Sequence, residues 1–477
     1  MTADTELCYV SAAEAITLFA SNKLSPVELV QALIKRIEVV EPQVNALTYT
    51  FFDRALGQAR EAEQRYRDRG RRRRQLEGIP LIIKDLHDVK GEITTYGSRL
   101  FAENRSSNSL PYVDRLLRAG AILLGRSTSP EFGLLCVCHS PLWGVTRNPW
   151  NLEYSPGGSS GGAGAALAAG MTTIADGSDY GGSIRVPASA SGVFGIKPSY
   201  GRVPAGTVES LDPYHAYGPM TRTVADGALM LNVMAGQHHS DPASVPGRFR
   251  LPLKPKDIKG WRVALSMDLG YFEIDSEVVS NTLAAADAFR ELGCTVDEVT
   301  IPWTKDIFEA AATHYAAYLY YEDPEQMDPE KGALLADSTL AYTAKSAARH
   351  RLSFEQAQQV RARMYADLEK IFRRYRVMLC PMLGITGVPA DLPVEGVDVY
   401  INGKKQDPEW DWCLAYPFNM LGYLPIASVP SGFSSQKMPT GLQIVGQPFD
   451  EVSVFRAAYA FERVRPWMDC PERRPPL

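Results

Sequence analysis

The chain contains no uninterrupted apolar run of 18 residues, so no membrane-spanning helix is expected. Its first residues, MTADTELCYV, lack a basic stretch followed by an apolar one; no secretory signal is expected, and the cytoplasm is the expected location. Strong charge of either sign is also missing. A formal net charge of −5 gives no general attraction to nucleic acid or to an acidic membrane, so neither is expected as a partner. Seven scattered cysteines, Cys8, Cys136, Cys138, Cys294, Cys380, Cys413 and Cys470, follow neither a disulfide framework nor a zinc spacing. They are expected to be small buried apolar residues in a reducing compartment. No H-E-x-x-H or comparable ligand set is present, no G-K-[ST] follows the glycine-rich run, and no G-x-G-x-x-G occurs. No metal and no cofactor are therefore expected.

What is present is an ordinary globular composition, 45% hydrophobic and 22% charged over 477 residues, with length for a large core. Helical and short apolar stretches alternate. Ser25-Pro26 with Glu28 reads as a capped start to a helix reaching about Val40. Gly78 to Lys84 (GIPLIIK) reads as a buried strand ending in lysine, Tyr112 to Arg118 as a helix stopped by Gly120, and AILLG from Ala121 as a strand. The alanine- and glycine-rich run Ser160 to Ala169 suits a tightly packed helix. Asp275 to Leu292 and Ser353 to Tyr375 read as long helices, followed by strands at Thr295 to Thr300 and Val377 to Cys380. Gly441 to Val445 is a further strand, with a terminal helix from about Glu451. Such alternation favours a layered α/β domain over a helical bundle. The proline-rich stretch His238 to Lys259 reads as a long connecting loop. Arg65, Arg67, Arg69 and Arg71 to Arg74 form a basic cluster without interleaved aromatics, expected to be a solvated loop before the strand rather than a nucleic-acid patch.

The chemistry concentrates between Ser155 and Pro198, where Ser159 and Ser183 each sit beside paired glycines, 24 positions apart. Glycines let the backbone approach a reacting carbonyl and aim amides at a developing oxyanion. Gly157-Gly158-Ser159-Ser160-Gly161 matches G-x-S-x-G, but the nucleophile elbow needs a strand before the serine, and two prolines interrupt Asn148 to Pro156. None of His215, His238, His239, His314 and His350 sits in a recognisable acid-histidine context. Ser434 to Lys437 fits S-x-x-K but lies in a polar turn. A serine without a histidine needs another base. Lys84 follows Leu81-Ile82-Ile83, and its amine either snorkels to water or lies near the core, where desolvation favours the neutral, proton-accepting form.

Taken together, these segments resemble the amidase signature family. The resemblance is carried by GIPLIIKDLHDVKGEITTYGS (Gly78 to Ser98), EFG (Glu131 to Gly133), GVTRNPWN (Gly144 to Asn151), SPGGSSGG (Ser155 to Gly162), GSDYGGSIRVP (Gly177 to Pro187), GIKPSYGRVP (Gly195 to Pro204), GPMTRTVADGALML (Gly218 to Leu231) and GLQIVGQPFD (Gly441 to Asp450). They occur in the family's order and cover most of the chain, more weakly between about Ser240 and Asp411. The resemblance implies a single large α/β/α domain over 1–477, with a central mixed, mostly parallel twisted sheet covered by helices. Residues 1–75 would be a helical segment packed on it, 76–235 the catalytic motifs and 240–412 a variable region around the substrate pocket. It implies a catalytic triad of Lys84 as base, Ser159 as bridging serine and Ser183 as nucleophile, with a cis Gly158–Ser159 peptide. The amides of Tyr180, Gly181, Gly182 and Ser183 would form the oxyanion hole, and Ser160, Asp179 and Arg185 would support the network.

Departures from the family bear on the substrate. Tyr180 stands where many relatives have threonine, and Ala190-Ser191 replaces a frequent Phe-Cys. Cys136, Cys138 and His139 fall in a segment resembling part of the relatives' substrate pocket. Consecutive strand residues face opposite ways, so Cys138 and His139 are expected as pocket wall or core and not as a dyad. An aromatic run with His314, Tyr315, Tyr318 and Tyr321, and later Trp410, Trp412 and Tyr416, permits a hydrophobic or aryl substrate. The function expected is hydrolysis of a small apolar or aryl amide through an acyl-enzyme, with esters, anilides or carbamates as further substrates. The glutaminase component of a tRNA-dependent amidotransferase is the alternative, weakened because Val186 follows Arg185 where those proteins usually have glutamine. A non-catalytic binding protein is the third, disfavoured by the presence of all three triad residues. A homodimer is an arrangement common among relatives, with no interface visible in the residues.

Overall fold

A computed structural model describes residues 3–68, 72–318, 329–348, 352–391, 399–407 and 410–477. Eleven strands form one sheet: β1 (Leu47–Thr50), β2 (Pro80–Lys84), β3 (Ile122–Ser127), β4 (Ile174–Asp179), β5 (Phe194–Lys197), β6 (Ala216–Thr221), β7 (Arg262–Leu265), β8 (Thr295–Glu298), β9 (Val377–Pro381), β10 (Ile426–Phe433) and β11 (Pro439–Gly446). Across the sheet the order is β1-β3-β2-β4-β6-β5-β10-β11-β9-β7-β8. The sheet is mixed, as expected, but it is not mostly parallel. β2 pairs parallel with β3 and β4, and β7 with β8 and β9; the other six neighbouring pairs are antiparallel. The reason is local: β10 and β11 form a hairpin, and β6 returns between β4 and β5, so the chain reverses where a crossover helix would have kept it parallel.

Both faces of the sheet are covered. Along β9, Val377 and Leu379 join one hydrophobic cluster, while Met378 and Cys380 join another on the opposite side, the period-2 alternation of a strand buried on both faces. The helix Pro26–Val44 opens with the expected Ser25/Glu28 capping box and runs past Val40 to an αL cap at Asn45. Ser276–Glu291 and Phe354–Phe372 are capped by Asp275 and Ser353, and Glu451–Val464 by Asp450. One expectation fails at the arginine cluster. Arg65 and Arg67 do not lie in a loop; they end the helix Phe52–Arg67, where cations complement the helix dipole. Arg74 pairs with the buried Glu77 at 2.7 and 2.6 Å, while residues 69–71 lie outside the described ones.

Two features position the functional residues. β2 and β4 run parallel, so Lys84 and Asp179, the last residues of each, lie at the same end of the sheet. The helix Gly161–Ala168 packs behind β2, β3 and β4 with every residue buried. Its glycines permit this approach: a Cβ on Gly162 would lie 2.4 Å from Thr128 Oγ1, and one on Gly161 2.5 Å from Cys138 Cβ. Among the described residues no helix is long and apolar enough to cross a membrane.

Candidate active site

Lys84 is fully buried, and its amine does not reach water. Nζ donates to Ser159 Oγ at 2.7 Å and to Ser178 Oγ at 3.2 Å. Burial pulls its pKa down to about 7, against the opposing charges of Asp176 and Asp179. A lysine poised there can exchange a proton with a hydroxyl near neutral pH.

The position before Ser159 has room only for glycine. A Cβ on Gly158 would lie 2.5 Å from the Leu135 carbonyl oxygen and 2.6 Å from that of Val137. The Gly158–Ser159 peptide is cis. Ser160 stands before the helix Gly161–Ala168 without a side-chain cap, and its N–H donates to the Ser183 carbonyl at 3.1 Å, tying the two serine loops together. The Ser160 hydroxyl is buried without a partner among the described residues. No hydrogen bond among them joins the Ser159 and Ser183 hydroxyls, but both serines line one cavity.

The loop carrying Ser183 is organised from beneath by Asp179 and Arg185, both fully buried. Asp179 accepts from Arg185 Nε at 3.0 Å and Nη2 at 2.9 Å, and from Asn419 Nδ2 at 2.8 Å. Arg185 also reaches Gln443 Oε1 and Asn419 Oδ1, each at 2.7 Å. Burial pushes the Asp179 carboxyl up, but Arg185 and Asn419 outweigh it and hold it at about 2. Asp179 accepts from the Gly182 N–H as well, at 3.0 Å. Of the four amides expected to face an oxyanion, Gly182 is thus engaged below the loop. Those of Gly181 and Ser183 have no acceptor among the described residues. The Tyr180 carbonyl accepts from the Tyr315 hydroxyl at 3.0 Å, and the Tyr180 hydroxyl donates to Asp212 at 2.8 Å.

Ser159, Ser178, Tyr180, Gly181 and Ser183 open onto a cavity of about 650 Å³. Its walls are largely apolar and aromatic, with Leu100, Phe101, Phe132, Leu134, Leu135, Tyr315, Tyr342 and Trp410, and Tyr315 stacks on Trp410 at 5.2 Å. Of the residues expected in the pocket, Cys136 and Trp410 line it. Cys138 does not: it is buried against Thr128, 3.7 Å from Oγ1, where the start of the helix at Gly161 closes over it. His139 is half-buried on a short strand paired with Val145, away from the cavity wall. The side chain of Tyr318, like Tyr321, lies outside the described ones. Sequence reasoning missed His87, Asp176, Ser178 and Tyr217, and it left His215 without a role. A histidine partner is looked for after Ser159, whereas His87 stands three residues after Lys84 inside the same motif. Among the described residues no group of three or more His, Cys, Asp or Glu could hold a metal ion.

The family model described as Amidase matches residues 28–455. The chain belongs to the amidase signature family. It is 36% identical to an acylamidase of Rhodococcus erythropolis over 97% of both chains. It is also 34% identical to a glutamyl-tRNA(Gln) amidotransferase subunit of Chloroflexus aggregans over 99% of both. A solved bacterial aryl acylamidase of the amidase signature enzymes superposes with a TM-score of 0.86 at 32% identity, covering 96% of each chain. The protein is accordingly an amidase-family enzyme acting on amides.

Proposed function

We propose that the protein hydrolyses a small apolar or aryl amide through an acyl-enzyme, with Ser183 as nucleophile, Ser159 as relay and Lys84 as base. The observation that carries this reading is the hydrogen bond from a fully buried amine to Ser159 Oγ at 2.7 Å, on the wall of a cavity that also holds Ser183. Neutral Lys84 takes the proton of Ser159 as Ser159 takes that of Ser183, and Ser183 Oγ attacks the carbonyl carbon. The amides of Gly181 and Ser183, with that of Tyr180, face the oxyanion, and one such donor is typically worth about 2.7–4 kcal/mol. The relay then runs backwards to protonate the leaving amine, and water hydrolyses the acyl-enzyme. Esters, anilides and carbamates fit the same steps, because only the leaving group changes. The aromatic and aliphatic walls, and the acylamidase relatives, favour an apolar substrate body.

The second reading is a glutaminase. Glu209 and Lys331, an acidic and a basic residue on the cavity wall, are of the signs that an amino-acid ammonium and carboxylate seek, and the relatives include amidotransferase components. One panel separates the two: aliphatic amides, anilides, esters, carbamates and glutamine, tested with wild type and Ser183→Ala. Anilide or aliphatic-amide turnover that vanishes in Ser183→Ala is the expected result. Ammonia release from glutamine alone would favour the second reading, and full activity of Ser183→Ala would overturn the mechanism.

A further inference from the structure

His87 has one ring nitrogen engaged and one without a partner among the described residues. It lies in the turn that leaves β2, is 2% exposed, and lines the cavity. Nδ1 stands 2.7 Å from Asp176 Oδ2, which also accepts from the Tyr112 hydroxyl at 2.8 Å, while Asp176 Oδ1 accepts from the Lys84 N–H at 2.8 Å. Burial pushes the Asp176 carboxyl up, but His87, the Lys84 amide and Tyr112 outweigh it and hold it below the ordinary value. Asp176 is thus a carboxylate that only accepts, and burial pushes the His87 ring below its ordinary value, which favours the neutral form. Nδ1 must carry the single ring hydrogen, which leaves Nε2 a lone pair on the ring edge turned away from Asp176. Tyr112 and Tyr217 meet the ring edge to face at 6.0 and 5.3 Å and fix its plane. Nε2 itself is buried with no partner among the described residues.

A buried acceptor left unpaired is costly, and a site that holds one rigidly discriminates strongly against ligands that fail to satisfy it. We propose that His87 is a specificity-determining residue: its Nε2 accepts a hydrogen bond from a hydroxyl or amino group of the bound substrate, and Asp176 positions it by fixing the tautomer. The cavity then prefers aryl amides bearing such a donor over isosteres without one. The word substrate rests on the amide-hydrolase reading above; the hydrogen bond needs no turnover.

The test is therefore made on binding. Anilides with a hydroxyl at the 2-, 3- or 4-position, and the unsubstituted anilide, are titrated calorimetrically into Ser183→Ala, alone and combined with His87→Phe, His87→Gln or Asp176→Asn. At least one hydroxylated isomer should bind about tenfold more tightly than the unsubstituted compound. That preference should collapse with His87→Phe, which removes the acceptor, and partly return with His87→Gln, which supplies one. If His87→Phe does not fold, Asp176→Asn decides, because the tautomer is then no longer fixed and the preference should fall. No preference in Ser183→Ala, or a preference that survives His87→Phe, would overturn the proposal. Failure of the intact enzyme to cleave any amide would count against the hydrolase reading alone, since the binding ratios would still be read.

Discussion

Two lysines end strands of the same sheet, and both are fully buried: Lys84 on β2 and Lys197 on β5. Burial pulls each down to about 7, with Arg185 adding to the effect at Lys197. What separates them is the chemistry of what they donate to. Lys84 faces two hydroxyls, groups that both accept and release protons. Lys197 donates to the carbonyl oxygens of Pro198 and Gly422, each at 3.1 Å, and carbonyls have no proton to pass on. Lys84 also borders residues of the cavity, whereas Lys197 ties β5 to the segment at Gly422. A depressed pKa marks both positions; the acceptor set and the neighbouring cavity separate the proposed base from a brace.

The largest effect expected is at the proposed nucleophile. Ser183→Ala should lower kcat/KM on the order of 10⁴-fold or more, measured on whichever amide the wild type turns over fastest. Next comes the comparison itself: Lys84→Met should cost about 10²- to 10⁴-fold, the range for a positioned base, while Lys197→Met keeps a rate near wild type. Equal losses in the two variants would break the distinction. The pH profile sharpens it. Because Lys84 accepts a proton only when neutral, the wild-type rate should fall about tenfold per unit below about pH 7 and level off above, and Lys197→Met should keep that profile.

Smaller in scale, and read in stability, is the support beneath the loop. Asp179→Ala leaves the Arg185 guanidinium buried without its carboxylate partner, and denaturant unfolding should register a loss of about 3–5 kcal/mol. A loss within 0.5 kcal/mol, roughly the range of a neutral surface change, would contradict that role. The gentlest prediction reunites the two lysines. Between about 7 and the ordinary lysine value of 10.5 the unfolded chain holds a proton that the folded lysine has lost, so stability rises with pH across that window. Lys84→Met and Lys197→Met should each flatten this slope, so two variants that differ widely in rate should agree in the pH dependence of unfolding.

Much of this was legible in the residues, for identifiable reasons. The helices from Pro26, Ser276, Phe354 and Glu451 announce themselves through caps and 3.6-residue periodicity. β2 shows as an unbroken apolar run ending in Lys84. β4 and β6 do not, because IADGSD and AYGPMT carry glycine, proline and acid in strands covered on both faces, with no alternation to read. Strand direction is hidden for the same reason: with β6 unseen, the reversal between β4 and β5 cannot be counted. At the site, Lys84, Ser159 and Ser183 stand out by residue type and glycine context. The pocket wall does not, since Cys138 and Cys136 look alike in sequence and only the close approach of Gly161 buries one while the other faces the cavity. His87 is hidden because its partner, Asp176, is 89 residues away.

The most direct test of the central claim is where the acyl group goes. The enzyme is mixed with an activated ester or slow carbamate, quenched during turnover, digested and mapped by mass spectrometry. An acyl mass is expected on the peptide at Ser183, absent in Ser183→Ala. An adduct on Ser159 instead, or one that persists unchanged in Ser183→Ala, would contradict the claim.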